Sequence, residues 1–383
     1  MKKLIALLLC VFCLPAVFCG CGKKSNGVVV WLISPTASGA EEEIRALIKT
    51  YDPEITVSFL PEEEATMRYK EALERGTAPD AFLFSADDIP DLAEKKHILD
   101  LSDRLRLSDV KTDTLTDGAR RACLYQGKTW GVPLFCDAYM LAFDRTLVPL
   151  PPQSMGETEN AVKAAQAKQK EAASFASLDA TRSALLYECL TQEKGGEILN
   201  GRETKLTVAS KEGIEAANDY ASLMKDASRD TDAFGGGKAA FSVLTAYERA
   251  QKKKENPTAE IGLAPLPVNR LQTLALGLSP SAENKTRAFR LCEFLFEHKN
   301  ELAAVYKRYT AEKDISPLFP DDEQAVRLIV SARPAPDLCG YKTFANTYLV
   351  RALEQIGNGV DATAALSEAA AKGAELIWKG KRE

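Results

Sequence analysis

The stretch "GTAPDAFLFSADD", Gly76–Asp88, decides how the rest of the chain is read. Gly76, Ala78-Pro79 and Asp80 form a turn. The run Ala81-Phe82-Leu83-Phe84 that follows is continuously apolar, as a strand buried on both faces requires. It ends on small residues and two acids, Asp87 and Asp88. In open α/β sheets ligands bind beyond the carboxyl ends of the strands. Asp87 is therefore a candidate ligand acceptor, set against the plainer role of capping a helix that starts near Pro90.

Outward from this stretch the same logic repeats. "GVVVWLIS", Gly27–Ser34, is another apolar run of strand formers, broken by Pro35. Ser38 is the expected N-cap of the next helix, with Glu41 to Glu43 in its first turn and Ile44, Leu47 and Ile48 on one face. "ITVSFL", Ile55–Leu60, reads as a second strand, and "EEEATMRYKEALERG", Glu62–Gly76, as an amphipathic helix closed by its glycine. The order β-α-β-α-β-α predicts an α/β fold with a largely parallel sheet flanked by helices. Ser34, Pro35 and Thr36 then share a rim with Asp87. Further on, Gln126-Gly127-Lys128 reads as a hairpin turn, and the chain returns as a strand that continues extended through Tyr139–Asp144.

The 383 residues exceed one ordinary core, so two domains are expected. With a formal net charge of −5 there is no basic excess to neutralise phosphates, which argues against a nucleic-acid partner. At the N-terminus, Lys2 and Lys3 precede an apolar run, Leu4 to Phe18. That run is shorter than the roughly 20 residues of a membrane span and suits a signal peptide. "FCGC", Phe18 to Cys21, resembles a bacterial lipobox. Residues 1–20 are then a signal peptide, Cys21 the lipidated first residue of the mature chain, and residues 21–27 a polar tether. The expected location is extracytoplasmic, anchored to the bacterial cell membrane by lipid on Cys21. The five remaining cysteines, Cys123, Cys136, Cys189, Cys292 and Cys339, are odd in number and widely spaced. They read neither as a disulfide framework nor as a CxxC metal site; most read as small buried hydrophobes, with one extracytoplasmic bridge left open and no pair singled out.

Signals for catalysis are weak. The two histidines, His97 and His298, sit near helix ends. No GxSxG, HExxH or P-loop lysine motif is present, and Gly235-Gly236-Gly237-Lys238 lacks the P-loop spacing. Asp87 and Asp88 are sequence neighbours, whereas glycosidase carboxylates are defined by their separation in space. No metal or cofactor is expected, and a non-enzymatic role is favoured.

Several ordered motifs carry a resemblance. Gly76-Thr77-Ala78-Pro79-Asp80, the run Gly127–Pro133 ("GKTWGVP") and the run Leu141–Leu147 ("LAFDRTL") resemble signatures of the bacterial extracellular solute-binding proteins of family 1, the maltose-binding type. So do "FGGGKAAFSVLTAYER" (Phe234–Arg249), "IGLAPLP" (Ile261–Pro267), Thr273–Glu297 and Gly357–Ile377. The resemblance covers nearly all the mature chain. It implies a two-lobed periplasmic-binding-protein fold of type II, each lobe a mostly parallel sheet flanked by helices, joined by strand crossovers. By analogy, lobe one spans 28–136 plus 273–313 and lobe two 137–272 plus 314–383. The chain would cross near 135–141, 272–276 and 313–316. The resemblance also implies a small-molecule ligand, a sugar or other small polar solute, held between the lobes and passed to ABC permease subunits. Matched motif by motif, the ligand-binding residues are Ser34, Thr36, Asp87, Asp137, Tyr247, Arg333, Tyr341 and Phe344. The tryptophan expected after Pro152 is absent, and Tyr247 stands where many relatives have tryptophan. Trp31, Trp130 and Trp378 read as packing residues. The cleft is thus expected to be less aromatic than that of a long-oligosaccharide binder. Two other readings stand beside transport: a ligand-sensing lipoprotein of the same fold that partners a membrane receptor, and a secreted hydrolase or lyase using cleft carboxylates.

Overall fold

The structure is a computed structural model and describes residues 27–316 and 323–378. The expected signal peptide, the expected lipidation site Cys21 and the expected tether up to residue 26 lie outside these. Among the described residues eleven strands occur in chain order: β1 (Val29–Ile33), β2 (Thr56–Leu60), β3 (Ala81–Ser85), β4 (Leu124–Tyr125), β5 (Lys128–Thr129), β6 (Val132–Asp144), β7 (Ala173–Phe175), β8 (Ala239–Thr245), β9 (Ile261–Ala264), β10 (Leu271–Leu278) and β11 (Tyr309–Thr310). The three strands expected around Gly76–Asp88 form, and β2-β1-β3 pair in parallel. The helix after β1 starts at Ala40 with Gly39 as its N-cap, one residue beyond Ser38. Gln126 and Gly127 turn the β4–β5 hairpin with positive φ of 50° and 73°.

The sheet is mixed rather than mostly parallel. β10 lies antiparallel to both β3 and β6, and β6 is antiparallel to β8 and β9. Parallel pairing returns between β7 and β8. The cause is β6, thirteen residues long and buried throughout. Its first part, through Ala138, pairs with β10, and from Tyr139 onward it pairs with β8 and β9. One strand therefore runs through both halves of the molecule. Phe135, Cys136 and Ala138 contribute to the core of the first half, and Tyr139, Leu141 and Phe143 to that of the second.

The helices sort with these cores. Ile44 and Ile48 pack in the first half, together with the helix Lys285–Glu297. The second core is built from the helices Ala180–Glu193 and Lys211–Met224 and the C-terminal helices. Ala325, Ile329 and Ala332 also pack in the first core. The helix Glu323–Ser331, beyond the expected crossing at 313–316, thus buries its apolar face against the first half. Trp31 and Trp130 lean on an aromatic cluster around Tyr69, Phe82 and Phe84, and Trp378 on the second core. The five cysteines beyond the tether are free thiols, four of them buried.

Candidate functional site

Three adjoining cavities, of about 630, 60 and 510 Å3, open where the two halves face each other. Their walls come from the loop after β3, from β6, from the helix Ala180–Glu193, from Arg270 at the start of β10, and from residues 333–346. Asp87 lines all three. It does not cap the following helix, and its carboxylate accepts no hydrogen bond among the described residues. Burial raises its pKa, while Lys342 and Arg270 draw it back down. A carboxylate with free lone pairs in a sheltered wall can accept hydrogen bonds from a ligand.

Its neighbour Asp88 is already committed. Lys342 Nζ reaches Asp88 Oδ1 at 2.7 Å, and Thr66 Oγ1 donates to Oδ2 at 2.8 Å. Arg270 is likewise occupied. It grips Glu188 at 2.6 and 2.7 Å and donates to the Pro334 carbonyl at 2.8 Å. Tyr139 and Tyr341 line the small cavity, and neither hydroxyl has a partner among the described residues. Both phenols are raised by burial. Local backbone geometry aims these groups. Gly340, at φ 82°, starts the short turn that carries Tyr341 and Lys342, while its N–H and the Cys339 thiol donate to Asp91. The wide π-helical turn Phe344–Leu349 then presents Ala345 and Asn346 to the same cavity.

The remaining expected site residues are distributed differently. Arg333 is exposed and lines the largest cavity, with its backbone held between Asn269 and Leu271. Ser34 lines none of the three and donates its N–H to Leu60. Thr36 and Tyr247 meet each other, hydroxyl to hydroxyl, at 2.9 Å, outside these cavities. Arg308 stacks 4.5 Å over the Tyr247 ring and pairs with Glu62, which also accepts from Gln272.

Asp137 is engaged by the backbone. It is buried, and its two oxygens accept the backbone N–H groups of Ala138, Ala246 and Tyr247 at 2.8, 3.2 and 2.9 Å. It thereby caps the helix Ala246–Glu255, which also carries a Thr245–Glu248 capping box. Desolvation lifts its pKa to about 6, against the pull of those three donors. Phe344 is 0% exposed in the second core, packed so closely on Gly373 that a Cβ there would lie 2.3 Å from its ring.

Tyr139, Arg270, Glu188 and Lys342 were missed at the sequence level. Tyr139 follows the expected acid by two residues, and inward alternation along β6 was the signal that could have found it. The others had none, because a long-range ion pair leaves no local pattern. No tryptophan lines the three cavities, and neither histidine does.

A family model described as "Bacterial extracellular solute-binding protein" matches residues 44–325. No curated protein sequence matches the chain. Among solved structures, a solute-binding protein of an ABC transporter from Thermotoga lettingae, bound with alpha-D-tagatose, is similar at 18% identity and a TM-score of 0.77, covering 92% of this chain and 99% of that one. An ABC substrate-binding protein from Listeria monocytogenes in complex with cycloalternan is 18% identical with a TM-score of 0.76, covering 93% and 98%. UgpB from Mycobacterium tuberculosis in complex with glycerophosphocholine is 18% identical with a TM-score of 0.76, covering 93% and 100%.

Proposed function

Because the chain belongs to the bacterial extracellular solute-binding proteins, we propose that it captures a small polar solute, a saccharide, in the cleft between its halves and delivers it to an ABC importer. The observation that carries this reading is Asp87, an unoccupied carboxylate common to the walls of three adjoining interlobe cavities. Beside it, the Tyr139 and Tyr341 hydroxyls and Asn346 offer further polar contacts to ring hydroxyls. Two tyrosines and no tryptophan in these walls suit a short ligand rather than a long oligosaccharide.

The mechanism is mechanical, and the chain acts as a receptor rather than an enzyme. Lobe one consists of the first-core elements up to β6 together with β10 through residue 332, and lobe two of the rest. Solute bridging Asp87 on one side and Tyr139 and Tyr341 on the other draws the lobes together and shifts the population toward the closed form. Thr36 with Tyr247 and Asp88 with Lys342 meet across the two halves. The closed form docks on permease subunits, and ATP is hydrolysed there. A lipid on Cys21 holds the receptor at the membrane.

Thermal unfolding of the mature chain with Cys21 replaced, against neutral sugars, amino sugars, amino acids and oxyanions, tests the reading. Saccharides should raise the melting temperature progressively, the stabilisation reaching about 2.7 kcal/mol at a hundred times Kd. A response confined to amino acids or oxyanions overturns the saccharide assignment.

A further inference from the structure

We propose that the solute carries one ammonium group on a polyol frame, an amino sugar in its free-amine form. The inference rests on the solute-binding reading and narrows the ligand of that same cleft. Five ionisable side chains meet at its centre: Asp87, Asp88, Glu188, Arg270 and Lys342. Arg270 is taken by Glu188 and the Pro334 carbonyl, and Lys342 by Asp88. Asp88's other oxygen is filled by Thr66. Three carboxylates thus face two cations, and the carboxylate left over is Asp87.

The surroundings deepen this imbalance. The 510 Å3 cavity adds Glu62, Glu63, Glu71 and Glu74 to its wall against Lys70. Arg308 offsets Glu62. The 630 Å3 cavity is balanced, with Arg121 and Arg333 against Glu203 and Asp337, and so does not cancel the excess. A phosphate or carboxylate ligand would bring more negative charge to a sheltered site already short of a cation, and its desolvation would go uncompensated. A neutral hydroxyl satisfies a lone pair of Asp87 but leaves its charge. An ammonium supplies the donor and the missing charge together, and charge-assisted hydrogen bonds are about twice as strong as neutral ones. The free hydroxyls of Tyr139 and Tyr341 remain available to the ring.

The test is isothermal titration of the mature chain with Cys21 replaced, using matched probes. Glucosamine is compared with glucose and N-acetylglucosamine, and the glucosamine dimer with N,N′-diacetylchitobiose and cellobiose. The free amine should bind about tenfold or more tightly than its neutral counterparts in at least one series. Asp87→Asn should erase the difference. Its urea midpoint should stay at or above that of the parent, since the substitution removes a carboxylate that burial disfavours, and this separates lost recognition from lost folding. Neutral sugars binding as tightly as the amines overturn the inference and leave the saccharide reading standing. A preference that persists in Asp87→Asn overturns it too, and absence of binding in both series overturns inference and reading together.

Discussion

Arg270 ties three parts of the molecule into one cleft wall: β10, the helix carrying Glu188, and the passage at Pro334 between the halves. Its substitution by Met keeps the aliphatic length and removes the guanidinium. The structure allows the cost to be worked out. Breaking a buried pair by deleting one partner costs about 3–5 kcal/mol, because the other charge is left behind. Here the side chains are 13% and 22% exposed, so water reaches Glu188 and the expected loss is about 2–4 kcal/mol. The Pro334 carbonyl loses its donor within that figure. Glu188→Gln retains a hydrogen-bond acceptor and should cost less, about 1–2 kcal/mol. The double variant buries no orphan charge, so its loss should fall short of the sum by about 1–3 kcal/mol. Urea unfolding of the four proteins, followed by far-UV circular dichroism, measures the cycle. A loss below about 1 kcal/mol for Arg270→Met, or singles that simply add, would refute the view that this pair holds the wall.

Two further tests address Asp137 and Phe344. Asp137 is raised to about 6 from an ordinary value of 3.8, so the folded state holds its proton where the unfolded state has released it. Stability should therefore fall as pH rises from about 4 to 6, by up to roughly 3 kcal/mol from this group at ~1.4 kcal/mol per pH unit. Asp137→Asn should lose that slope and, at neutral pH, leave one backbone N–H facing an amide donor. A variant with an unchanged pH–stability profile would remove Asp137 as the cause. Phe344→Ala should cost about 3–5 kcal/mol in the second core. Under conditions where it remains folded, its ligand affinity by titration should match the parent; a large affinity loss with small destabilisation would return Phe344 to the site.

The sequence determined by itself what depends on neighbours along the chain. Apolar runs without alternation marked β1 and β3 as strands covered on both faces, and their order with the intervening helices marked the α/β class. The loop after β3 put Asp87 at the strand's carboxyl end, where the interlobe cavities open. The ordered motifs pointed to the family that the match over residues 44–325 establishes.

Tertiary structure decided the rest, for physical reasons. Whether Asp137 faces ligand or backbone depends on where the helix Ala246–Glu255 begins in space, more than a hundred residues later, and a buried N-terminus needs its acceptors. Phe344 and Tyr341 lie three residues apart on nearly the same helical face, yet the π-helical turn and the bare surface of Gly373 draw one into the core and leave the other at the cavity. That the helix Glu323–Ser331 packs in the first core rests on the burial of Ala325 and Ile329, which no local signal announces. The charge left over on Asp87 is likewise not a property of its own segment: it appears only when Arg270 and Lys342 are folded against it and found to be engaged by other carboxylates.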